Sequence, residues 1–183
     1  MLLILGLGNP GSEYERTRHN VGFLAVASCA AFFQLRLRKR CFRLYRSAKV
    51  GDRARLVQPL TYMNRSGQVL RYFGNTPLVV VCDQMDLPAG RIRLRRGGST
   101  AGHRGLASLI EYKGDGDFIR LYIGIGRPKR GETVIDHVLG EIDSPLIEEG
   151  ISRAVRALRA FIDGQTFEEV ANAFNGDQDP ETH

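Results

Sequence analysis

The sequence predicts an α/β fold on a mixed β-sheet, in one domain. Three observations predict it. Apolar runs of strand length alternate with helical patterns along the chain, the mark of a sheet with crossover helices. One early stretch, from Leu37 to Gln58, reads instead as an extended hairpin-like region, which adds antiparallel pairing. At 183 residues the chain fits one domain and is long enough to bury a sizeable core.

Taken in order, Leu2 to Leu7 reads as a buried strand. Asn20 suits the cap of an apolar helix running to about Gln34. Leu37 to Arg46 is basic and opens the hairpin-like region, with Gly51-Asp52 as the turn between its arms. Thr61 suits the cap of a helix to about Phe73. Pro77 to Asp83 is the cleanest buried strand, because Leu78 to Cys82 is one unbroken apolar run. Asp86 to Gly90 is a turn. Arg91 to Arg95 alternates Arg with Ile and Leu, a strand with one basic face. Gly97 to Gly105 is a small-residue loop before a helix to about Tyr112. Phe118 to Ile125 is a further strand, and Arg127 to Gly131 a basic loop.

A long amphipathic helix follows, its stripe running from Leu146 and Ile147 to Phe161 and Ile162. A short helix spans about Phe167 to Phe174. The expected domain is 1–175, and 176–183 reads as a disordered polar tail.

Composition narrows the classes. The chain is 43% hydrophobic and 25% charged, ordinary for a soluble protein. Its net charge of +6 comes from 22 Arg and 4 Lys against 20 acids, which suits an anionic partner. The three cysteines, Cys29, Cys41 and Cys82, show neither C-x-x-C nor metal-ligand spacing, so a reducing cytoplasm is expected. The N-terminus lacks a basic n-region, and no stretch approaches a membrane span.

Four polar stretches end apolar runs: GLGNPG at Gly6–Gly11, TRHN at Thr17–Asn20, TYMNRSG at Thr61–Gly67 and CDQMDLPAG at Cys82–Gly90. Open α/β sheets place their ligand crevice at the carboxyl ends of strands. GLGNPG fits the dinucleotide fingerprint G-x-G-x-x-G. That reading fails, because no helix opens at the glycines and Ala25 to Leu37 holds no acid. The turn instead projects Asn9. His19 precedes the apolar helix, and Asp83 ends the cleanest strand, where a carboxylate suits an imidazole N–H. Asn64 can offer donor and acceptor to a carbonyl, and Met63 lies beside it. Taken singly, each also reads plainly as a tight turn, a solvated His, a turn Asp, a helix-start Asn or a core Met. Gly97 to Ala101 lacks the final glycine of a serine nucleophile elbow, so water is the expected nucleophile. Arg91, Arg93 and Arg95, continued by Arg96 and Arg104, form a candidate phosphate track that Arg127, Lys129 and Arg130 could extend.

With these motifs in hand, the chain resembles bacterial peptidyl-tRNA hydrolases from Leu2 to about Ala160. GLGNPG, TRHNVGF, QPLTYMNRSG, CDQMDLPAGRIRLR, AGHRGL, GIGRP and HVLG occur in that family's order. The resemblance implies a single α/β domain, with a mixed twisted sheet flanked by helices on both faces. It implies a cytoplasmic monomer, without metal or other cofactor, that cleaves the ester between peptide and tRNA. His19 would activate water, supported by Asp83. Asn9, Met63 and Asn64 would contact substrate, with Tyr14, Tyr62, His103 and Arg104 as further candidate contacts. The family clamps phosphate with two basic residues. Arg95 matches one, while the other falls on Tyr122; Arg120 on the same face could compensate, and so could Arg104 by binding phosphate rather than ester. Arg104 stands where the family usually carries Asn in its Gly-His-Asn-Gly segment. The rival expectation is a non-catalytic RNA-binding protein on the same fold.

Overall fold

The computed structural model describes residues 1–176. The expected tail therefore lies, beyond Gly176, outside the described residues. Seven strands form one mixed sheet: β1 Leu2–Gly6, β2 Arg38–Lys39, β3 Tyr45–Val50, β4 Ala54–Pro59, β5 Leu78–Gln84, β6 Ile92–Arg96 and β7 Ile119–Gly124. Their order is β2-β3-β4-β1-β5-β7-β6, which puts the first strand in the middle. β1 runs parallel to β4 and β5, and β5 parallel to β7, while β2-β3, β3-β4 and β6-β7 are antiparallel. The early hairpin thus makes the sheet mixed, as its turn residues predict.

Side-chain alternation divides the core into two layers. Ile4, Val79 and Val81 face the layer of α1 Val21–Phe32, α4 Pro145–Ile162 and α5 Phe167–Phe174. Leu3, Leu5, Val80 and Cys82 face the layer of the helix Met63–Tyr72 and α2 Arg104–Lys113. α5 starts with a reciprocal capping box between Thr166 and Glu169. At its end the Asn175 side chain bonds both backbone groups of Leu94, covering the open edge of β6.

Several boundaries depart from the sequence reading. Met63–Tyr72 is a 3-10 helix whose cap position is Tyr62, and the Thr61 hydroxyl is buried without a hydrogen-bond partner. α1 ends at Phe32, because Gln34 takes a left-handed φ of 56°. Leu146 is exposed rather than part of the inward stripe. A short helix, α3 Val134–Leu139, has no counterpart in the sequence reading. Its start is marked by Thr133, whose hydroxyl accepts the Asp136 N–H.

α1 lies on the sheet at backbone contact. A Cβ on Gly22 would fall 2.3 Å from the Val81 carbonyl oxygen and 2.6 Å from that of Leu7. Gly22→Ala must push the helix outward, and His19 lies just before that helix. The expected cost is about 1–3 kcal/mol, read as a lower urea midpoint, together with slower turnover.

Candidate active site

The middle of the sheet positions the site. The chain leaves β1 at Gly6 into the turn that carries Asn9, and β5 carries Asp83 close to its own carboxyl end. The Asn20 side chain clamps this turn from both sides. It accepts the Asn9 N–H at 2.8 Å and donates to the Asn9 carbonyl at 3.0 Å. Asn20 does stand at the helix cap position, but its side chain makes no capping bond. Asn9 in turn accepts the Met63 N–H at its Oδ1, 2.8 Å away. This fixes the amide orientation and leaves the Asn9 NH₂ without a partner among the described residues.

Asp83 is 4% exposed and its Oδ1 meets two imidazoles, His19 Nδ1 at 2.8 Å and His103 Nε2 at 3.0 Å. The two rings lie 5.1 Å apart. Their tautomers follow from the surroundings. His103 Nδ1 accepts the N–H groups of Gly105 and Leu106 at the start of α2, so its Nε2 carries the proton and donates to Asp83. Asp83, when ionised, can only accept, so His19 donates from Nδ1. Its Nε2 lone pair is left for the cleft. Burial alone would raise the Asp83 carboxyl. The charge either imidazole gains on protonation, together with the hydrogen bonds of His103 and His19, outweighs that and holds it well below the usual carboxylate range.

A cleft of about 560 Å³ gathers most of the expected residues: Asn9, His19, Tyr62, Met63, Asn64, Asp83, His103 and Arg104 all line it. Tyr14 does not. It lies in the turn Ser12–Tyr14, where its carbonyl accepts the Thr17 hydroxyl. Neither buried thiol can serve as nucleophile at neutral pH. Burial pushes Cys29 up to about 12 and Cys82 well above its ordinary range.

Arg93 and Arg95 are exposed and line a second concavity, which shares Gln84 and Ala101 with the cleft. Arg91 is half-buried and lines neither. Arg120 corrects the sequence reading. It pairs across the sheet with Arg95, as alternation requires, yet it is 0% exposed. Its guanidinium lies under the loop after β6, donates to the carbonyls of Gly98 and Ser99, and stacks on Phe118 with its carbon 5.0 Å from the ring centre. Arg120 holds this loop in place and has no access to a phosphate. Tyr122 is buried beside it, its hydroxyl 3.4 Å from Arg120 Nη1.

The sequence reading also missed an apolar wall. Val134, Ile135, Val138 and Leu139 of α3 line the cleft with Met85, and three of them stay exposed. This wall is tied to the segment that carries His19. Arg18 donates to the His137 carbonyl at 3.0 Å and to Asp143 at 2.7 Å, while His137 Nε2 lies 2.8 Å from the Gly126 carbonyl oxygen. The Thr133-x-x-Asp136 cap and the Val134-Ile135 pair were the available signals.

An α/β sheet with an imidazole–carboxylate cleft at the carboxyl ends of its central strands has the construction of a hydrolase. The peptidyl-tRNA hydrolase family profile matches residues 3–182, and the chain belongs to that family. It is 46% identical to a peptidyl-tRNA hydrolase of Bacillus subtilis, over 96% of this chain and 98% of that one. It is 42% identical to that of Shouchella clausii, over 96% of this chain and all of the other. The crystal structure of peptidyl-tRNA hydrolase from Acinetobacter baumannii superposes with a TM-score of 0.87 at 36% identity, covering 96% of this chain and 95% of that chain.

Proposed function

We propose that this protein hydrolyses the ester joining a peptide to the 3′ end of tRNA, with water as nucleophile and His19 as general base. One observation carries the reading: His19 is fixed through Nδ1 on a buried, ionised Asp83, with Nε2 left for the cleft. Water between Nε2 and the ester carbonyl loses its proton to His19 as it attacks. Asp83 then faces the imidazolium and stabilises it. The free NH₂ of Asn9 is a donor for the carbonyl oxygen as charge develops there, and Asn64 is a second donor on the same cleft. His103 is a positioning residue, holding the same Asp83 oxygen that His19 bonds.

The α3 wall and Met63 give the peptide side chains an apolar surface. Arg104, exposed at the first turn of α2, gives the backbone phosphate nearest the ester a cation. A metal is not needed for this chemistry. The cluster His19, Asp83 and His103 has metal-ligand atoms within 4.8 Å. Yet the imidazole nitrogens facing Asp83 carry protons, and His103 Nδ1 is already taken by two N–H groups. The protein acts as a monomer. No described helix is long and apolar enough to cross a membrane. A purely RNA-binding role would leave the Asn9, His19 and Asp83 arrangement without a use.

The test is release of the acyl group from N-acetyl-aminoacyl-tRNA, with unblocked aminoacyl-tRNA as the control. Failure to release either would reject the reading. For the basic strand, Arg93→Glu with Arg95→Glu should flatten the log–log salt dependence of tRNA binding. The slope should drop by roughly 0.7–0.9 for each phosphate that is no longer neutralised. An unchanged slope removes both residues from the tRNA path.

A further inference from the structure

The cleft and the β6 track leave the most basic part of the chain unused. Residues 36–49 carry seven of the 26 Lys and Arg and none of the 20 acids. The rest of the chain then holds 19 cations against 20 acids, so the net positive charge of the protein resides in this one segment. All seven cations are exposed, and none makes an ion pair among the described residues. Arg36, Arg38, Lys39, Arg40 and Lys49 line one groove of about 610 Å³. An edge strand needs charge, Lys above all, to discourage strand pairing, yet five of these seven cations are Arg. A run of one sign repels itself and is relieved by a polyanion.

The register places this edge relative to the cleft. Lys39 pairs with Arg46, Arg46 pairs with Gln58, and β4 lies level with β1 so that Val57 is beside Leu5. Both pairings, β2-β3 and β3-β4, are antiparallel, so β2 runs in the direction of β1. The turn 40–43 therefore projects from the same end of the sheet as the cleft. It lies three strands to one side of β1, roughly 14 Å at ordinary strand spacing. Phe42, at the crest of this turn, is wholly exposed, and its φ is 58°. An exposed aromatic ring between cations is the construction that unpaired bases stack on.

We propose that the β2 edge is a second RNA contact, which grips the body of the substrate tRNA while the cleft holds its 3′ end. The inference rests on the tRNA-ester reading above. A tRNA carries its ester at the tip of a single-stranded tail, whose backbone phosphates lead from the cleft to the body of the molecule. The contact lies across the sheet from Arg93 and Arg95, which belong to β6 at the opposite edge.

The test compares two substrates, full-length N-acetyl-aminoacyl-tRNA and the same ester on a CCA trinucleotide. The variant carries Arg36→Gln, Arg38→Gln and Arg40→Gln, all exposed and outside the cleft. It should lose about tenfold in kcat/KM on the full-length substrate, with a salt slope lower by roughly 2. On the trinucleotide it should match wild type, and an all-Lys version at these positions should recover most of the loss. Unchanged kinetics on both substrates would overturn the proposal. So would an equal loss on both, which would place the effect in the cleft or the fold. Failure of wild type itself on the trinucleotide and the tRNA would instead reject the hydrolase reading.

Discussion

His19→Ala is expected to lower single-turnover ester hydrolysis by about 10²- to 10⁴-fold, the usual worth of a general base. The size follows from what the substitution removes. His19 Nε2 is the imidazole lone pair left for the cleft, because the other ring nitrogens of the pair hold Asp83 or accept from α2. Without it, water must attack while keeping its proton or passing it to solvent. Binding of tRNA should change little, since His19 makes no contact with the basic strands. The cleft, at about 560 Å³, has room for free imidazole where the side chain is missing. Added imidazole should therefore restore part of the rate to His19→Ala. A variant that turns over near the wild-type rate would remove His19 from the chemistry.

Asp83→Asn should lose about 10²- to 10⁴-fold in kcat, with KM little changed. The amide keeps an oxygen to accept from the two imidazoles, so the rings need not move far. It brings no charge to face the imidazolium that forms during attack. The same substitution has a stability signature. The folded-state pKa of Asp83 is depressed below its unfolded value, near 3.9. Its stabilising contribution is therefore fully present above that pH and is lost as pH falls toward the folded value. The urea-midpoint difference between wild type and Asp83→Asn should shrink as pH falls below about 4. A difference that keeps its full size or grows as pH falls below about 4 would contradict the depressed carboxyl.

Much of this was legible in the sequence because it rests on local pattern. The unbroken run Leu78–Cys82 can hardly be anything but a strand buried on both faces, and Asp83 at its end follows from that. Gly51-Asp52 between two extended arms gives the β3-β4 hairpin. What was not legible depends on what covers a face. Alternation places Arg120 beside Arg95 correctly, but it cannot show that the loop after β6 folds back over one and not the other. Asn20 reads as a cap by position, while its side chain goes to a turn 11 residues earlier. Thr61 looks like a cap and is instead a buried, unpartnered hydroxyl. α3 is only six residues long, too short for its apolar face to show a period. His103 reads as a substrate contact in the sequence, and its hydrogen bond to Asp83 shows only when β5 and α2 are brought together.

Water activated by His19 cleaves the tRNA ester in this mechanism, a step separable from the grip on RNA. The most direct test follows N-acetyl-aminoacyl-tRNA with wild type and His19→Ala side by side, with tRNA binding measured in the same samples. Release by wild type, a loss of at least about 10² in the variant, and equal binding by both are expected. Tight, salt-sensitive binding by both proteins with no release by either would contradict this mechanism, and would mean the fold serves as an RNA-binding surface.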